Sequence, residues 1–303
     1  MEIPHQVASL TPQGRAKEFR TEQEVPIDSW TLFETTISKL KGEWIFRGQS
    51  DDWQLTTSLE RTLDDWEVGP NERPNVEHQM IRDFRRRYRG PDHALVQNDT
   101  LYCLTTMQHH GAPTRLLDWT YSPFVAAKFA IEKGLRRRAV IWCVRAAWCY
   151  KAASEIMGKE AIDKRDADET RNDSSFVPLF LRSDPRRFIF HENPYHITER
   201  SITQQGTFLC PGDIRASFLS NLQELKGWDG SENILRFCLS LEQGELARFA
   251  TVLQKMNVNS AFLSPGLDGF ARSLAEQIPF YVGLGGRSVG LPGQRVDEES
   301  NPI

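Results

Sequence analysis

The chain has 303 residues, of which 39% are hydrophobic and 26% are charged, and its net charge is −4. This composition is typical of a globular protein of one or two domains, and it excludes a general electrostatic attraction to nucleic acid. The sequence lacks a membrane-length apolar run and an apolar N-terminal signal, and its five cysteines are scattered. We therefore expect a cytoplasmic protein without a disulfide framework or a cysteine zinc site.

The first part of the chain contains a polar arm, a helix and a strand. Residues 1–25 are polar and aperiodic, and they predict a loose N-terminal arm. Asp28 and Ser29 precede apolar residues at helical spacing, which predicts a helix from Ile27 to Leu40. A short strand is predicted over Glu43–Gln49.

A second helix is predicted over Val76–Tyr88, and one of its faces is rich in arginine. Its apolar stripe consists of Met80, Ile81, Phe84 and Tyr88. The opposite face carries Arg82, Arg85, Arg86, Arg87 and Arg89. Such a face is either solvated and paired with carboxylates or a surface for phosphate or nucleic acid.

The most informative stretch is Leu104–Glu132, in which a polar turn leads into an apolar helix. Its polar residues are His109, His110, Arg115 and Asp118. Gly111 and Pro113 interrupt regular structure there, and Ser122 with Pro123 predicts the start of the helix. A polar turn supported by a buried helix is a common scaffold for a binding site.

The second half of the chain mixes strands and helices. Residues 139–144 predict a strand buried on both faces, and residues 151–175 predict a surface helix or a mobile insertion. Residues 197–211 form a second informative stretch. The other predicted elements are strands over 235–241 and 259–263 and helices over 221–225, 243–256 and 267–274. Residues 281–303 predict a disordered tail. Together these patterns predict a single mixed α+β domain over 26–280 with a helical N-terminal layer.

Four motifs make the chain resemble the FRG domain family. They are Phe46-Arg47-Gly48-Gln49, QHHGAPTRLLDWT at 108–120, Arg200 with Gln204-Gln205-Gly206 and Phe208, and LSPGLDG at 263–269. The likeness extends in order from Trp30 to Leu274. Because much of this family has no assigned activity, the resemblance indicates which residues matter rather than which reaction they support.

A second resemblance, to the ADP-ribosyltransferase fold with its central split sheet, rests on the aromatic-Arg-Gly context of Arg47. In that fold the arginine holds the phosphate or ribose of NAD. The polar turn and its small-residue helix are similar to the second element of the fold, and residues 200–209 would supply the third strand. That strand usually carries a catalytic glutamate, whereas this sequence has Gln204 and Gln205, with Glu199 as the nearest carboxylate.

We expect five residues to bind NAD, the cofactor that the resemblance implies, or a related nucleotide. They are Arg47, Gly48, Gln49, Arg115 and Asp118. An arginine fork suits phosphate, and Gly48 would let a ligand approach the backbone. The alternative is that Arg47 and Arg115 are structural and pair with Asp118 or with a carbonyl.

The candidate catalytic residues are His109, His110, Glu199, Gln204 and Gln205. Adjacent side chains on an extended segment point to opposite faces, so we expect one histidine to be structural and the other to be an acid-base or ribose-binding group. By the same alternation, only one of the two glutamines would face the site. No HxH or HExxH spacing is present, so we predict no metal ligand.

These residues lead to one principal hypothesis and two alternatives. The first is an ADP-ribosyltransferase-like enzyme that handles NAD or another nucleotide, acts on a protein or nucleic-acid acceptor away from membranes, and suits bacterial defence or a toxin. The alternatives are a non-catalytic nucleotide or nucleic-acid binding module and a metal-dependent nuclease built on the histidines and Asp118. We further expect Arg47, one histidine, Arg115 and one of the two glutamines to converge on a single cleft.

Overall fold

The computed structural model describes residues 23–132, 138–168 and 173–278. Its strands are β1 (Glu24–Ile27), β2 (Trp44–Gln49), β3 (Leu117–Thr120), β4 (Ala139–Arg145), β5 (Ile189–Glu192), β6 (Gly206–Pro211) and β7 (Ile234–Leu239). They form one sheet in the order β1-β7-β4-β2-β3-β6-β5. The β1–β7 pair is parallel, and the other neighbouring strands are antiparallel.

Helices of the described ranges cover both faces of the sheet. They are α1 (Trp30–Ser38), α2 (Ser58–Asp65), α3 (Arg73–Arg87), α4 (His93–Asn98), α5 (Thr100–His109), α6 (Pro123–Ile131), α7 (Ala146–Met157), α8 (Lys159–Ala167), α9 (Asp173–Phe180), α10 (Glu199–Thr203), α11 (Phe218–Gln223), α12 (Gln243–Lys255), α13 (Ser260–Leu263) and α14 (Leu267–Glu276). The predicted mixture of helices and strands is confirmed. Ser29 and Ser122 cap α1 and α6 through their side-chain oxygens, as the sequence predicts.

The central strand β4 separates two hydrophobic cores. Val140, Trp142 and Val144 belong to the larger core, which α3, α5 and α7 to α9 help to form. Ala139, Ile141 and Cys143 point to the opposite face and pack with residues of α1, α6 and α12. Because side chains alternate along a strand, the continuous apolar run of β4 is the pattern of a strand covered on both sides.

Near the centre of the sheet, the neighbouring strands β2 and β3 share very little backbone pairing. Strands β2 and β3 share a single residue pair, Phe46 with Thr120, whereas β2 pairs with β4 along its whole length from Trp44 to Gln49. Beyond this pair β2 and β3 separate. The sheet is therefore continuous but opens on one side of its midpoint, between the Arg47–Gln49 end of β2 and β3.

Two segments differ from their predicted structure. Residues 24 and 25 are not part of a loose arm but lie in β1, where Glu24 forms an ion pair of 2.7 Å with the buried Arg236. The segment 259–263 is a helix rather than a strand, because the Asn259 side chain caps α13 by accepting a hydrogen bond from Phe262 N at 3.0 Å. The remainder of the arm and the tail 281–303 lie outside the described residues.

The charged segment 151–175 is helical in its described part and anchored to the sheet. Arg165 of α8 is fully buried and donates hydrogen bonds to Glu192 of β5, with Nη2 and Oε2 2.8 Å apart. A further bond joins its Nη1 to Ser175 Oγ at 2.8 Å. The alternative of a mobile insertion is therefore wrong for these residues, because removing either charge from water requires a fixed partner.

Gly48 lies where α6 packs closely on β2. A Cβ atom at this position would lie 1.8 Å from the carbonyl oxygen of Ala126 and 2.7 Å from the backbone nitrogen of Ala130. Both are backbone atoms, so no side chain can rotate to make room. Close packing of α6 therefore requires glycine at this position, and a role for Gly48 in the approach of a ligand stays a prediction.

Replacing Gly48 with alanine should therefore destabilise the protein by about 2 kcal/mol or more, because α6 must move away from β2. Gly244→Ala in α12 is the matched control, since a Cβ there meets nothing within 4 Å. The control should leave the free energy of unfolding unchanged or raise it by about 0.5–1 kcal/mol. Denaturant titration measures both, and equal midpoints for the two variants would contradict this role of Gly48.

Glu60 of α2 holds the start of α11 through a buried carboxylate. Its Oε2 accepts a hydrogen bond from Phe218 N at 2.9 Å. Burial raises the pKa of Glu60 to about 7 from an ordinary value of 4.5, despite the opposing effect of that hydrogen bond. The folded protein therefore holds a proton on Glu60 at pH values where the unfolded chain has already lost it.

This raised pKa should make stability fall as pH rises between about 4.5 and 7, because the unfolded state releases the proton first. Glu60→Gln keeps an oxygen acceptor for Phe218 N and removes the titration, so the variant should gain on the order of 1–3 kcal/mol over wild type between pH 5 and pH 8. Denaturation at both pH values measures this gain. Glu34→Gln, at an exposed position of α1, is the control. A wild-type profile parallel to that of Glu60→Gln would contradict the raised pKa.

Candidate functional site

A cavity of about 520 Å³ lies where β2 and β3 separate. Five of the ten site residues selected from the sequence line it, together with Arg200 of the third motif: Arg47, Gly48, Gln49, Asp118 and Gln204. They come from β2, β3 and the segment around α10, which are distant in the sequence. The opening in the sheet is therefore the place where these polar residues meet.

Arg47 is held at the opening by a single hydrogen bond. Its Nη1 donates to the backbone oxygen of Asp118 at 2.7 Å, which bridges β2 and β3. Its Nε is buried and has no hydrogen-bond partner among the residues that the structure describes. Burial lowers the pKa of Arg47, Asp118 raises it and Arg61 lowers it. The half-buried guanidinium thus has one buried donor, Nε, without an acceptor, and an anion in the cavity would supply that acceptor.

Asp118 presents an oriented carboxylate to the same cavity. Its Oδ1 accepts a hydrogen bond from Gln108 Nε2 at 2.6 Å, and Gln108 Oε1 in turn accepts one from Thr114 Oγ1. The side chain itself is exposed. Because Arg47 bonds to the backbone of Asp118 and not to its carboxylate, the acid stays available to a ligand.

Gln49 and Trp53 add a hydrogen-bond donor and an aromatic surface. The Oε1 atom of Gln49 accepts a hydrogen bond from Trp142 Nε1 at 2.8 Å, which leaves its amide NH₂ group to donate. Trp53 follows β2 in the chain, lines the cavity and is 40% exposed. An accessible indole ring next to charged groups is suited to stacking on a planar ligand.

Several residues of the cavity wall were not selected from the sequence as site residues, among them Trp53, Arg61 and Glu132. Trp53 lies four positions beyond Gln49, the last residue of the Phe46-Arg47-Gly48-Gln49 motif, so that motif already indicated this part of the chain. Arg61 in α2 and Glu132 at the end of α6 resemble any exposed charged residue of a helix. Only the tertiary structure brings them to the opening of the sheet.

The two glutamines lie on a helix end and a turn, so the prediction that they alternate on a strand is wrong. Gln204 caps α10, and its Nε2 donates to the backbone oxygen of Leu263 at 2.8 Å. Gln205 has a positive φ of 48° and is exposed, and its backbone oxygen accepts a hydrogen bond from Tyr121 N at 3.0 Å. Gln204 lines the cavity, whereas Gln205 and Glu199 do not. The cavity therefore receives no carboxylate from this segment.

The two histidines end a helix outside the cavity. His109 is the last residue of α5 and His110 follows it, and their rings meet edge to face at 5.1 Å. The extended geometry expected for them is therefore wrong. Burial, His110 and Arg200 lower the pKa of His109. Neither histidine lines the cavity.

Arg115 belongs to the core and not to the cavity, which corrects its assignment to nucleotide binding. It is 2% exposed, and its guanidinium is bound by both carboxylate oxygens of Glu77 in α3. Its Nη1 also donates to the backbone oxygens of Phe180 at 2.8 Å and Pro211 at 3.3 Å. With these donors engaged and no access from solvent, Arg115 joins α3, α9 and β6.

The arginine-rich face of α3 divides into anchored and exposed members. Arg85 donates to the backbone oxygen of Val96 at 2.9 Å and to Thr100 Oγ1 at 2.9 Å. Arg86 lies 3.7 Å from Asp83. Arg82 and Arg87 are exposed and have no ion pair within the described ranges. None of these residues lines the cavity, so this face is separate from the site.

Across the described parts of the chain, no group of three or more His, Cys, Asp or Glu side chains is placed to hold a metal ion. The five cysteines are buried as free thiols. Every helix in the portion that the structure describes is too short or too polar to cross a bilayer. The polar side chains that line the cavity include arginine, carboxylate and amide groups, and these are the groups available to a ligand.

Comparison with known families matches the part of the chain that supplies most of the cavity wall. Residues 42–138 match the family model of the FRG domain, and this range contains β2, β3 and α6. This part of the chain is therefore similar to the FRG domain, as the motifs at 46–49 and 108–120 predict. No curated protein and no solved structure matches the chain.

Variants of the buried pair of Arg115 and Glu77 test whether Arg115 stabilises the fold. Arg115→Met should destabilise the protein by about 3–5 kcal/mol, because it leaves the Glu77 charge buried without a partner. The double variant Arg115→Met/Glu77→Leu should recover most of this loss, since both charges are then removed. Chemical denaturation of the three proteins measures these differences. A double variant as unstable as the single one would show that ion pairing is not what the core requires.

Proposed function

We propose that the cavity between β2 and β3 binds the phosphates of a nucleotide and that the protein acts on NAD or a related nucleotide. The observation that carries this proposal is the state of Arg47. Arg47 is half-buried at the wall of an open cavity, its Nη1 bonds to one carbonyl, and its buried Nε has no partner in the described residues. A phosphate oxygen is the acceptor that best matches such a fork.

The rest of the cavity supports a nucleotide rather than a lone anion. Arg61 and Arg200 add two cations, so a pyrophosphate would meet three arginines. Trp53 offers an aromatic surface for a base, and the Gln49 amide is positioned by Trp142 to donate to a hydroxyl or to a base. A volume of about 520 Å³ is in the range of small-ligand sites.

Asp118 is the group that we assign to chemistry in this proposal. In the reaction of an ADP-ribosyltransferase or NAD glycohydrolase, the bond between the ribose carbon and nicotinamide breaks, and its electron pair leaves with the nicotinamide. The ribose carbon then bonds to water or to an acceptor, which releases a proton. The positive charge that develops on the ribose would be stabilised by the Asp118 carboxylate, which Gln108 holds at 2.6 Å.

Measurements of binding and of turnover distinguish the role of Arg47 in phosphate binding from the role of Asp118 in catalysis. Arg47→Gln should weaken the binding of ADP-ribose by about 10- to 100-fold, because a charge-assisted bond to phosphate is lost. Asp118→Asn should keep binding and stop the release of nicotinamide from NAD. Titration calorimetry and a nicotinamide assay measure the two effects.

Arg82→Gln is the matched control, because this arginine is exposed on α3 and does not line the cavity. Unchanged affinity in Arg47→Gln would refute the proposed phosphate site. A role in bacterial defence or as a toxin belongs to the same proposal. It requires that expression of the wild type slow bacterial growth and that expression of Asp118→Asn not do so.

A second candidate function, a binding module without turnover, is supported by the segment after α10. Gln204 uses its amide to hold Leu263, Gln205 forms the turn, and Glu199 lies outside the cavity. No glutamate comes from this segment to serve catalysis. Saturable nucleotide binding that weakens with salt and yields no product would favour this function. The metal-dependent nuclease gains no support, because the histidines and Asp118 do not form a metal-binding group.

A further inference from the structure

A second cavity, of about 730 Å³, adjoins the nucleotide site. It lies among α6, α12, α13 and α14, and the two cavities share Phe129, Glu132 and Arg200 in their walls. The nucleotide site proposed above lies on the sheet side of these three residues, and the second cavity lies on the helix side. A ligand bound in either would therefore contact the same boundary.

The interior of the second cavity is apolar. Its wall includes Ile131, Leu246, Ala250, Leu253, Val258 and Leu263. No side chain of the described ranges fills this space, although it is large enough for a small ligand. Apolar surface left open to water favours an occupant that covers it with hydrocarbon.

The charges around this cavity are unevenly matched. Lys128 is 5% exposed, and its Nζ lies 3.0 Å from Glu276 and 3.8 Å from Glu132, so its charge is already compensated. Glu276 is also held by Ser260 N at 3.1 Å. Arg200 and Arg272 line the same cavity, are exposed and have no ion pair in the parts of the chain that the structure describes. Two guanidinium groups thus remain to bind an anion at the edge of an apolar chamber.

We infer that this second cavity binds an amphipathic anion with a single hydrocarbon chain and a carboxylate or phosphate head group. The chain lies against the apolar wall, and the head group pairs with Arg272 and Arg200. Carboxylates and phosphates are the acceptors that match arginine. A neutral ligand of the same length would leave both guanidinium groups unsatisfied, so charge and chain are both required.

Because Arg200 belongs to both cavities, the two ligands compete for one guanidinium. Dodecanoate in the second cavity should weaken the binding of pyrophosphate in the first. By linkage, pyrophosphate should weaken dodecanoate binding by the same factor. The protein would then respond to amphipathic anions through its nucleotide site without any change of fold.

Direct binding of dodecanoate, with dodecanol as the uncharged probe, tests the inference. Wild type should bind dodecanoate saturably and at least about 10-fold more tightly than dodecanol, which corresponds to one charge-assisted contact. Ala250→Phe, which fills the chamber, should abolish binding, whereas Ala271→Phe on the exposed side of α14 should not. Arg272→Gln should weaken binding, and Arg272→Lys should restore part of it.

Two results would overturn the inference: equal affinity for dodecanoate and dodecanol, or unchanged dodecanoate affinity in Ala250→Phe. Ala250→Phe leaves Arg47 and Asp118 in place, so this variant should still bind pyrophosphate. Loss of dodecanoate binding with retained pyrophosphate binding therefore distinguishes this site from the nucleotide site. Sedimentation with phosphatidylglycerol and phosphatidylcholine vesicles identifies the source of the ligand. Dodecanoate binding without vesicle binding supports a free single-chain amphiphile, whereas binding to the anionic vesicles that Ala250→Phe abolishes indicates a two-chain lipid and contradicts the single-chain ligand.

Discussion

The single backbone pair between Phe46 and Thr120 is the constraint on which the rest of this structure depends. Strand β3 ends at Thr120, and towards the Arg47–Gln49 end of β2 the two strands are unpaired and leave polar backbone and side chains at an opening. Arg47 bridges that opening through the carbonyl of Asp118, and α6 supports it from behind through close contact at Gly48. The candidate site exists because strand pairing stops there while helix packing continues.

Arginines of the same chain take opposite roles according to their surroundings. Arg115, Arg165 and Arg236 are buried and matched by carboxylates, so they join distant elements in the way that buried charges require. Arg47, Arg61 and Arg200 face a cavity in which Asp118 and Glu132 are the carboxylates. The first group stabilises the fold, and the second leaves an excess of positive charge that is complementary to phosphate.

The arrangement of the two cavities links the proposed chemistry to helices far along the chain. Phe129, Glu132 and Arg200 form their common boundary, and Gln204 ties α10 to the end of α13 through Leu263. Helices α12 to α14 therefore do more than cover the sheet, because they form the second chamber against α6. The FRG domain match ends at residue 138, so this chamber is built by residues on both sides of that limit.

The sequence alone determined several of the elements and part of the site. Capping residues and apolar periodicity indicated α1, α6, α12 and the buried strand β4, and the motif around Arg47 indicated the cavity, since these signals are local. The sequence could not distinguish Arg115 from Arg47, because the partner of Arg115 is Glu77, a residue on another helix. Nor could it place the histidines and glutamines, whose direction depends on whether the backbone is helical or extended. Tertiary structure decided these points, because burial and ion pairing depend on residues that only folding brings together.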